Sequence, residues 1–332
     1  MWRRWRSGGL AAAVAAAIVV AGIVAIVSGL GGAPREGLSA WGGRASFAAA
    51  PRGSSFDDLA LGRRPGEVVV AVTRDAADLE PQRLYVVALR SGRIRPLRVP
   101  VSRRCGAHSD QFPHRLDDGR LAFVRYCFGR VGSPVGKSVR LLVFDEATRQ
   151  LRRFVPYQLP FFVGRFAIGR NGRGVINDGR GLSERLQWLK PARLQPLKTS
   201  STRVGDPAWS PDGTRLAVAT TDERDAPWAA PVRWSLRLLA RDGKPVRKLL
   251  ERVADPSRPS WSPDGRRIAL RMTWNETPGL FVLDLADSRV RLVRRGATFA
   301  EVLWARDGKS LYATVSRARA ARQPGLYEID VR

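Results

Sequence analysis

Pro207-Ala208-Trp209-Ser210-Pro211-Asp212-Gly213-Thr214-Arg215-Leu216-Ala217-Val218 returns almost unchanged as Pro259-Ser260-Trp261-Ser262-Pro263-Asp264-Gly265-Arg266-Arg267-Ile268-Ala269-Leu270. A looser copy runs from Val302 to Ala313, with Trp304, Asp307-Gly308 and Leu311 in register. Each copy reads as strand, turn, strand: an apolar stretch ending in Trp, then Ser-Pro-Asp-Gly, then a β-rich run. Pro sets φ for the first turn position, Asp bonds its own backbone two residues on, and Gly takes the φ > 0 position. Turn chemistry alone accounts for Ser210, Asp212, Gly213, Ser262, Asp264, Gly265, Asp307 and Gly308. They are not expected to be a catalytic carboxylate set.

Weaker copies lie upstream, and the turn glycines fall at 66, 119, 172, 213, 265 and 308, in steps of 53, 53, 41, 52 and 43. Repeats of roughly 40–50 residues, each with about four short strands, are the signature of propeller blades. The Trp-Ser-Pro-Asp-Gly phrase resembles the PD40, or WD40-like, repeat of the TolB-type six-bladed β-propellers. That likeness covers roughly residues 51–332, its specific copies being 207–218 and 259–270. It implies an all-β fold, a six-bladed propeller over residues 56–332. No counterpart of the family's separate α/β domain is expected before residue 51.

The N-terminus sets the expected compartment. Residues 1–9 carry Arg3, Arg4 and Arg6 with Trp2 and Trp5, and Leu10 to Leu30 contains no charge. At ~1.5 Å per residue such a run spans ~31 Å, the thickness of a bilayer core. One transmembrane helix over 10–30 is expected, with a cytoplasmic N-terminus and everything after it outside the cell membrane. A cleaved signal peptide is the competing reading, against which stand the length of the run and the lack of a clean Ala-x-Ala site. Residues 31–55, rich in Gly, Ala, Pro and Ser, read as a tether. The last repeat lacks an outer strand, and a closed ring leaves no open edge, so a segment within Arg44–Ala50 is expected to pair beside Leu326–Val331.

Formal net charge is +27, from 57 basic and 30 acidic residues. Without Arg3, Arg4 and Arg6, 54 basic residues remain against 30 acidic ones, or +24. Arginine bias from base composition and polyanion binding both account for this excess.

Strand direction places the Asp-Gly turns on one face and the long insertions on the other: Arg74–Gln82, Phe128–Lys137, Thr221–Arg233, Trp274–Pro278 and Ser316–Pro324. Loops on a rigid scaffold are where binding usually resides. Trp228 and Trp274 are candidate contact residues there; partial burial beneath their own loops is the alternative. Trp209, Trp261 and Trp304, on innermost strands, are expected to pack between blades.

Cys105 and Cys127, the only cysteines, suit a disulfide in an oxidising compartment. Cys105, His108, His114 and Cys127 form the alternative, a zinc set, which needs tetrahedral convergence of all four. No Gly-x-Ser-x-Gly elbow or P-loop occurs, and no cofactor is expected. Asn275-Glu276-Thr277 matches a short glycosylation acceptor. Two functional classes follow. One is a membrane-anchored extracytoplasmic module that binds or scaffolds an envelope protein or anionic cell-wall polymer, with no nucleic-acid role. The other is a glycan hydrolase or lyase using Asp110, Asp222, Glu223 or Asp225 at the channel mouth.

Overall fold

The computed structural model describes residues 48–74, 82–128, 138–161, 163–178, 185–199, 201, 203–223, 232–296, 299–315 and 325–331. The expected membrane span at 10–30 and the loop residues Asp225 and Trp228 lie outside them. Gly43–Arg332 forms one compact unit, distinct from Met1–Gly42. Among the described residues no helix is long and apolar enough to cross a membrane.

Six antiparallel sheets follow one another along the chain, each a blade. Blade one is β2 (Ser54–Leu61), β3 (Glu67–Arg74), β4 (Arg83–Ala88) and β5 (Ile94–Pro96); blade two is β6 (Ala107–Arg115), β7 (Leu121–Phe128), β8 (Ser138–Phe144) and β9 (Leu151–Arg153). Blade three is β10 (Phe166–Ile168), β11 (Gly174–Asn177), β12 (Leu186–Leu189) and β13 (Leu194–Pro196). Blade four splits its inner strand into β14 (Arg203–Val204) and β15 (Ala208–Trp209), both paired with β16 (Arg215–Thr221), then β17 (Trp234–Ala240) and β18 (Pro245–Val253). Blade five is β19 (Ser260–Trp261), β20 (Arg267–Trp274), β21 (Thr277–Asp284) and β22 (Val290–Arg295). Blade six is β23 (Phe299–Trp304), β24 (Ser310–Val315), β25 (Gly325–Asp330) and, as its outer strand, β1 (Ala48–Ala49).

The turns explain why the strands stop where they do. All six repeat glycines have positive φ, between 66° and 82°, a region closed to most side chains. In two copies the serine clamps the hairpin. Ser210 Oγ donates to Asp212 Oδ1 at 2.5 Å and accepts the Arg215 amide at 3.0 Å; Ser262 repeats this with Asp264 and Arg267 at 2.5 and 2.9 Å. These hydroxyl bonds hold the Asp212 and Asp264 carboxyls below the usual range. Asp307 Oδ1 accepts the Lys309 amide at 2.9 Å in the sixth copy.

Packing between blades supplies the core. Trp261 Nε1 donates to Ala208 O at 3.0 Å, and the Trp304 amide donates to Ser260 Oγ at 3.1 Å. Trp209 stacks on Trp188 with ring centres 6.1 Å apart. The two cysteines form a disulfide, with Cα atoms 4.9 Å apart, tying the short 3₁₀ turn Arg103–Cys105 to β7. Cysteines bonded to each other leave no thiolate for zinc, which closes the metal reading of Cys105, His108, His114 and Cys127.

Two expected boundaries shift. The stretch read as a tether to residue 55 holds, besides the expected pairing strand β1, the start of β2 at Ser54. Trp274–Pro278 is not an insertion: β20 runs to Trp274 and turns back at once through Asn275 and Glu276, both at positive φ (46° and 61°). Two successive residues at φ > 0 are the tight hairpin turn that lets the strands twist without splaying.

Ala48 pairs with Leu326 and Ala49 with Gly325, so the N-terminal end of the described chain completes the last blade. Deleting residues 44–50 is expected to lower the melting temperature by roughly 5 °C or more, since it exposes the edge of β25. Calorimetry of the deletion beside the intact chain checks this; an unchanged transition would refute closure by this strand. Thiol titration in denaturant without reductant is expected to find no free thiol. Replacing Cys127→Ser should cost ~3 kcal/mol in chemical denaturation, given the 22-residue separation.

Candidate functional site at the propeller axis

The innermost strands are irregular where they meet the axis. β2 carries a bulge between Phe56 and Asp58, β6 one between Gln111 and His114, and β23 one between Phe299 and Glu301. In blade four the chain leaves the ladder between β14 and β15, where Pro207 has no amide to donate. In blade five, Pro256 and Pro259 sit between the Ala254–Thr273 bridge and β19. A bulge re-aims a side chain that strict alternation would turn into the blade. Asp58, Phe112, Asp206, Arg258 and Glu301 stand at these breaks and Arg165 immediately precedes β10 of blade three, so each blade contributes one residue.

Arg165 is their centre. Its Nη2 lies 2.5 Å from Asp58 Oδ1 of blade one and its Nε 3.3 Å from Asp206 Oδ2 of blade four, while Nη1 bonds Glu301 Oε2 of blade six. Blades three and six stand opposite each other in a ring of six, so this last bond spans the axis. Arg258 Nε lies 4.0 Å from Glu301 Oε1. Phe112 covers the guanidinium, its ring centre 5.6 Å from Arg165 Cζ. It does so at φ 54°, a strained conformation for an aromatic residue. Three carboxylates thus meet two guanidiniums.

Burial works to lower the Arg165 pKa, but the charges of Asp58, Glu301 and Asp206 outweigh it and leave the group above its ordinary value. Glu301 moves up from 4.5, because burial outweighs the attraction of Arg165 and Arg258. His114, buried beside Arg258, is driven down to about 3 by burial first and that charge second, so it is neutral. Its Nε2 faces Ile168 O at 3.3 Å and its ring stands edge-on to Phe166.

Beside Asp58, the half-buried Asp57 accepts hydrogen bonds from Ser55 Oγ at 2.8 Å, Gln82 Nε2 at 3.0 Å and the Thr73 hydroxyl. Burial is the main cause of its raised pKa. Among the described residues no group of three or more His, Cys, Asp or Glu could hold a metal ion.

The residues expected at the loop-bearing face are scattered. Asp110 is buried, and Arg125 grips it with Nε and Nη2 at 2.6 and 2.7 Å from its two oxygens. Arg125 Nη1 also donates to Pro100 O at 2.7 Å. Asp222 and Glu223 follow β16 in blade four; Glu223 Oε2 accepts the Arg233 amide at 3.2 Å. Trp274 is half-buried and packs edge-on against Phe281, with ring centres 6.1 Å apart.

The axial cluster carried a signal in the repeat itself. Phe112, Arg165, Asp206, Arg258 and Glu301 each stand seven residues before a turn glycine, and Asp58 eight before Gly66. The quoted phrase begins at Pro207 and Pro259, one residue too late to include them.

The fold is that of a six-bladed β-propeller, and known proteins of the kind resemble it. TolB from Acinetobacter baumannii superposes with a TM-score of 0.50 at 14% identity, over 81% of this chain and 55% of that one. An oligogalacturonate lyase in complex with manganese gives a TM-score of 0.50 at 14% identity, over 84% of this chain and 75% of that one. In sequence, 81 residues are 35% identical to the uncharacterized peptidase YuxL of Bacillus subtilis (strain 168), covering 24% of this chain and 11% of that protein. No family model matches the chain. The structural likenesses show the fold alone.

Replacing Arg165→Met is expected to cost ~3–5 kcal/mol at neutral pH, because it strands buried carboxylates. Glu301, with its folded pKa above 4.5, binds a proton more tightly folded than unfolded. Its contribution to stability is therefore full below pH ~4.5 and is lost as pH rises through the folded value. The Arg165→Met penalty should then be smaller near pH ~4.5 than near pH ~7 in urea unfolding. A penalty independent of pH would show that the axial carboxylates are not its source.

Proposed function

We propose that this chain is an extracytoplasmic binding module, held on the cell membrane by residues 10–30 with a cytoplasmic N-terminus, that engages an anionic wall polymer. The observation that carries the reading is the division of charge. The charged groups at the axis contact one another, whereas the exposed outer strands carry arginines in excess of acids: Arg95 on β5, Arg152 and Arg153 on β9. A positive surface of this kind raises the local concentration of polyanions and weakens its grip as salt rises. Exposed basic residues also guard sheet edges against pairing with other chains. Edge protection requires no affinity for a polymer, so binding is what separates the two roles. A glycan hydrolase or lyase reading loses support from Asp110, whose two oxygens Arg125 occupies.

The test is titration of the full-length chain in detergent with soluble polygalacturonate and polyphosphate. Affinity is expected to fall at least ~10-fold between ~0.05 and ~0.2 M salt. Absence of binding, or affinity indifferent to salt, would overturn the polymer reading. A fusion reporter at the C-terminus active only in the cytoplasm would overturn the placement.

A further inference from the structure

The outer strands are unequal. β5, β9 and β13 have three residues each, but β18 has nine and β22 six, and these two belong to neighbouring blades. They are joined into one surface. Leu249, Leu250 and Val253 of β18 share a core cluster with Leu283, against which Val290 of β22 packs. Arg247 of β18 donates to Leu285 O at 2.7 Å and Ser288 Oγ at 2.6 Å in the turn that leads to β22. Along this rim Arg247, Arg252, Arg291 and Arg295 are exposed; Glu251 is the acid on these two strands, and Lys248 pairs with it.

Two aliphatic side chains interrupt the arginines. Val246 is 54% exposed and Leu292 37%. Edge protection explains arginines but not bare aliphatics between them. Cations flanking short apolar side chains are the chemistry of an interfacial contact, in which arginines meet headgroup phosphates and the aliphatics enter the boundary layer. The position of the rim agrees. β1, the first described strand after the proposed membrane span, is the outer strand of blade six, beside blade five. The described chain therefore begins at the circumference of the wheel, at Ala48, one blade away from β22.

From this we infer that the β18–β22 rim rests on the anionic lipid headgroups of the membrane that carries the chain, so that the wheel stands on its edge. The inference rests on the membrane anchoring proposed above. It leaves the loop-bearing face free for a soluble partner.

Full-length protein reconstituted in vesicles tests it. The described cysteines are both in the disulfide, so Val246→Cys offers a single site for a fluorescent label, with Arg152→Cys on the blade-two rim as control. In vesicles with about 30% phosphatidylglycerol, the label at residue 246 should be shielded from an aqueous quencher about fivefold relative to neutral vesicles. About 0.5 M salt, or R247E/R252E/R291E/R295E, should remove the shielding. The label at residue 152 should stay open throughout. Equal exposure of residue 246 in both lipids overturns the inference. So does shielding that appears in neutral vesicles when polygalacturonate is added, which would assign the rim to a polymer. Alkaline extraction separates the two readings. A chain that resists extraction yet leaves residue 246 open sinks only the docking; a chain that is extracted sinks the anchor and the orientation with it.

Discussion

A ring of sheets has one demanding constraint: its first and last blades must meet, and nothing within a single blade enforces that. Arg165 supplies an enforcement from the middle. Its contacts with Asp58, Asp206 and Glu301 join blade three to blades one, four and six at once. Taking these charges out of water is costly, and only their mutual satisfaction offsets the cost. The ion pairs are therefore weak as a source of net stability and strong as a specification of geometry. A ring with the wrong number of blades would leave buried carboxylates without their guanidinium.

The second fastening lies at the circumference. β1 contributes two residues to the sixth sheet, and the disulfide fixes the entry to blade two. Hub, rim and covalent bridge act on different parts of the same wheel. Between them the Trp residues of the inner strands reach across blade boundaries, as with Trp261 and Ala208. Shape is thus determined by long-range polar contacts laid over separate apolar clusters that lie between neighbouring blades.

How much of this was legible in the sequence follows from which features depend on residue type. A turn that needs φ > 0 demands glycine, so positions 66, 119, 172, 213, 265 and 308 announced themselves, and the strands beside them followed. Gly174–Asn177, Trp234–Ala240 and Ser310–Val315 begin and end where local chemistry places them. The hub was not legible in the same way, because its residues share a position and not a type. An aspartate, a phenylalanine, two arginines, another aspartate and a glutamate form no motif until the ring places them face to face. Asp110 looked available because its partner Arg125 lies on the adjacent strand, fifteen residues on. Trp274 looked like a loop residue because Asn275 and Glu276 adopt a turn usually written with glycine.

The pairing of Ala48 with Leu326 also orders the protein's birth. One half of that contact is synthesised about 280 residues before the other, so the circle stays an open arc until Leu326 has emerged. During that interval the first strand waits without a mate, and the growing arc exposes sheet edge to every neighbour. Blades can mature one by one as they emerge, but the wheel becomes a wheel only once Gly325 and Leu326 have joined Ala49 and Ala48.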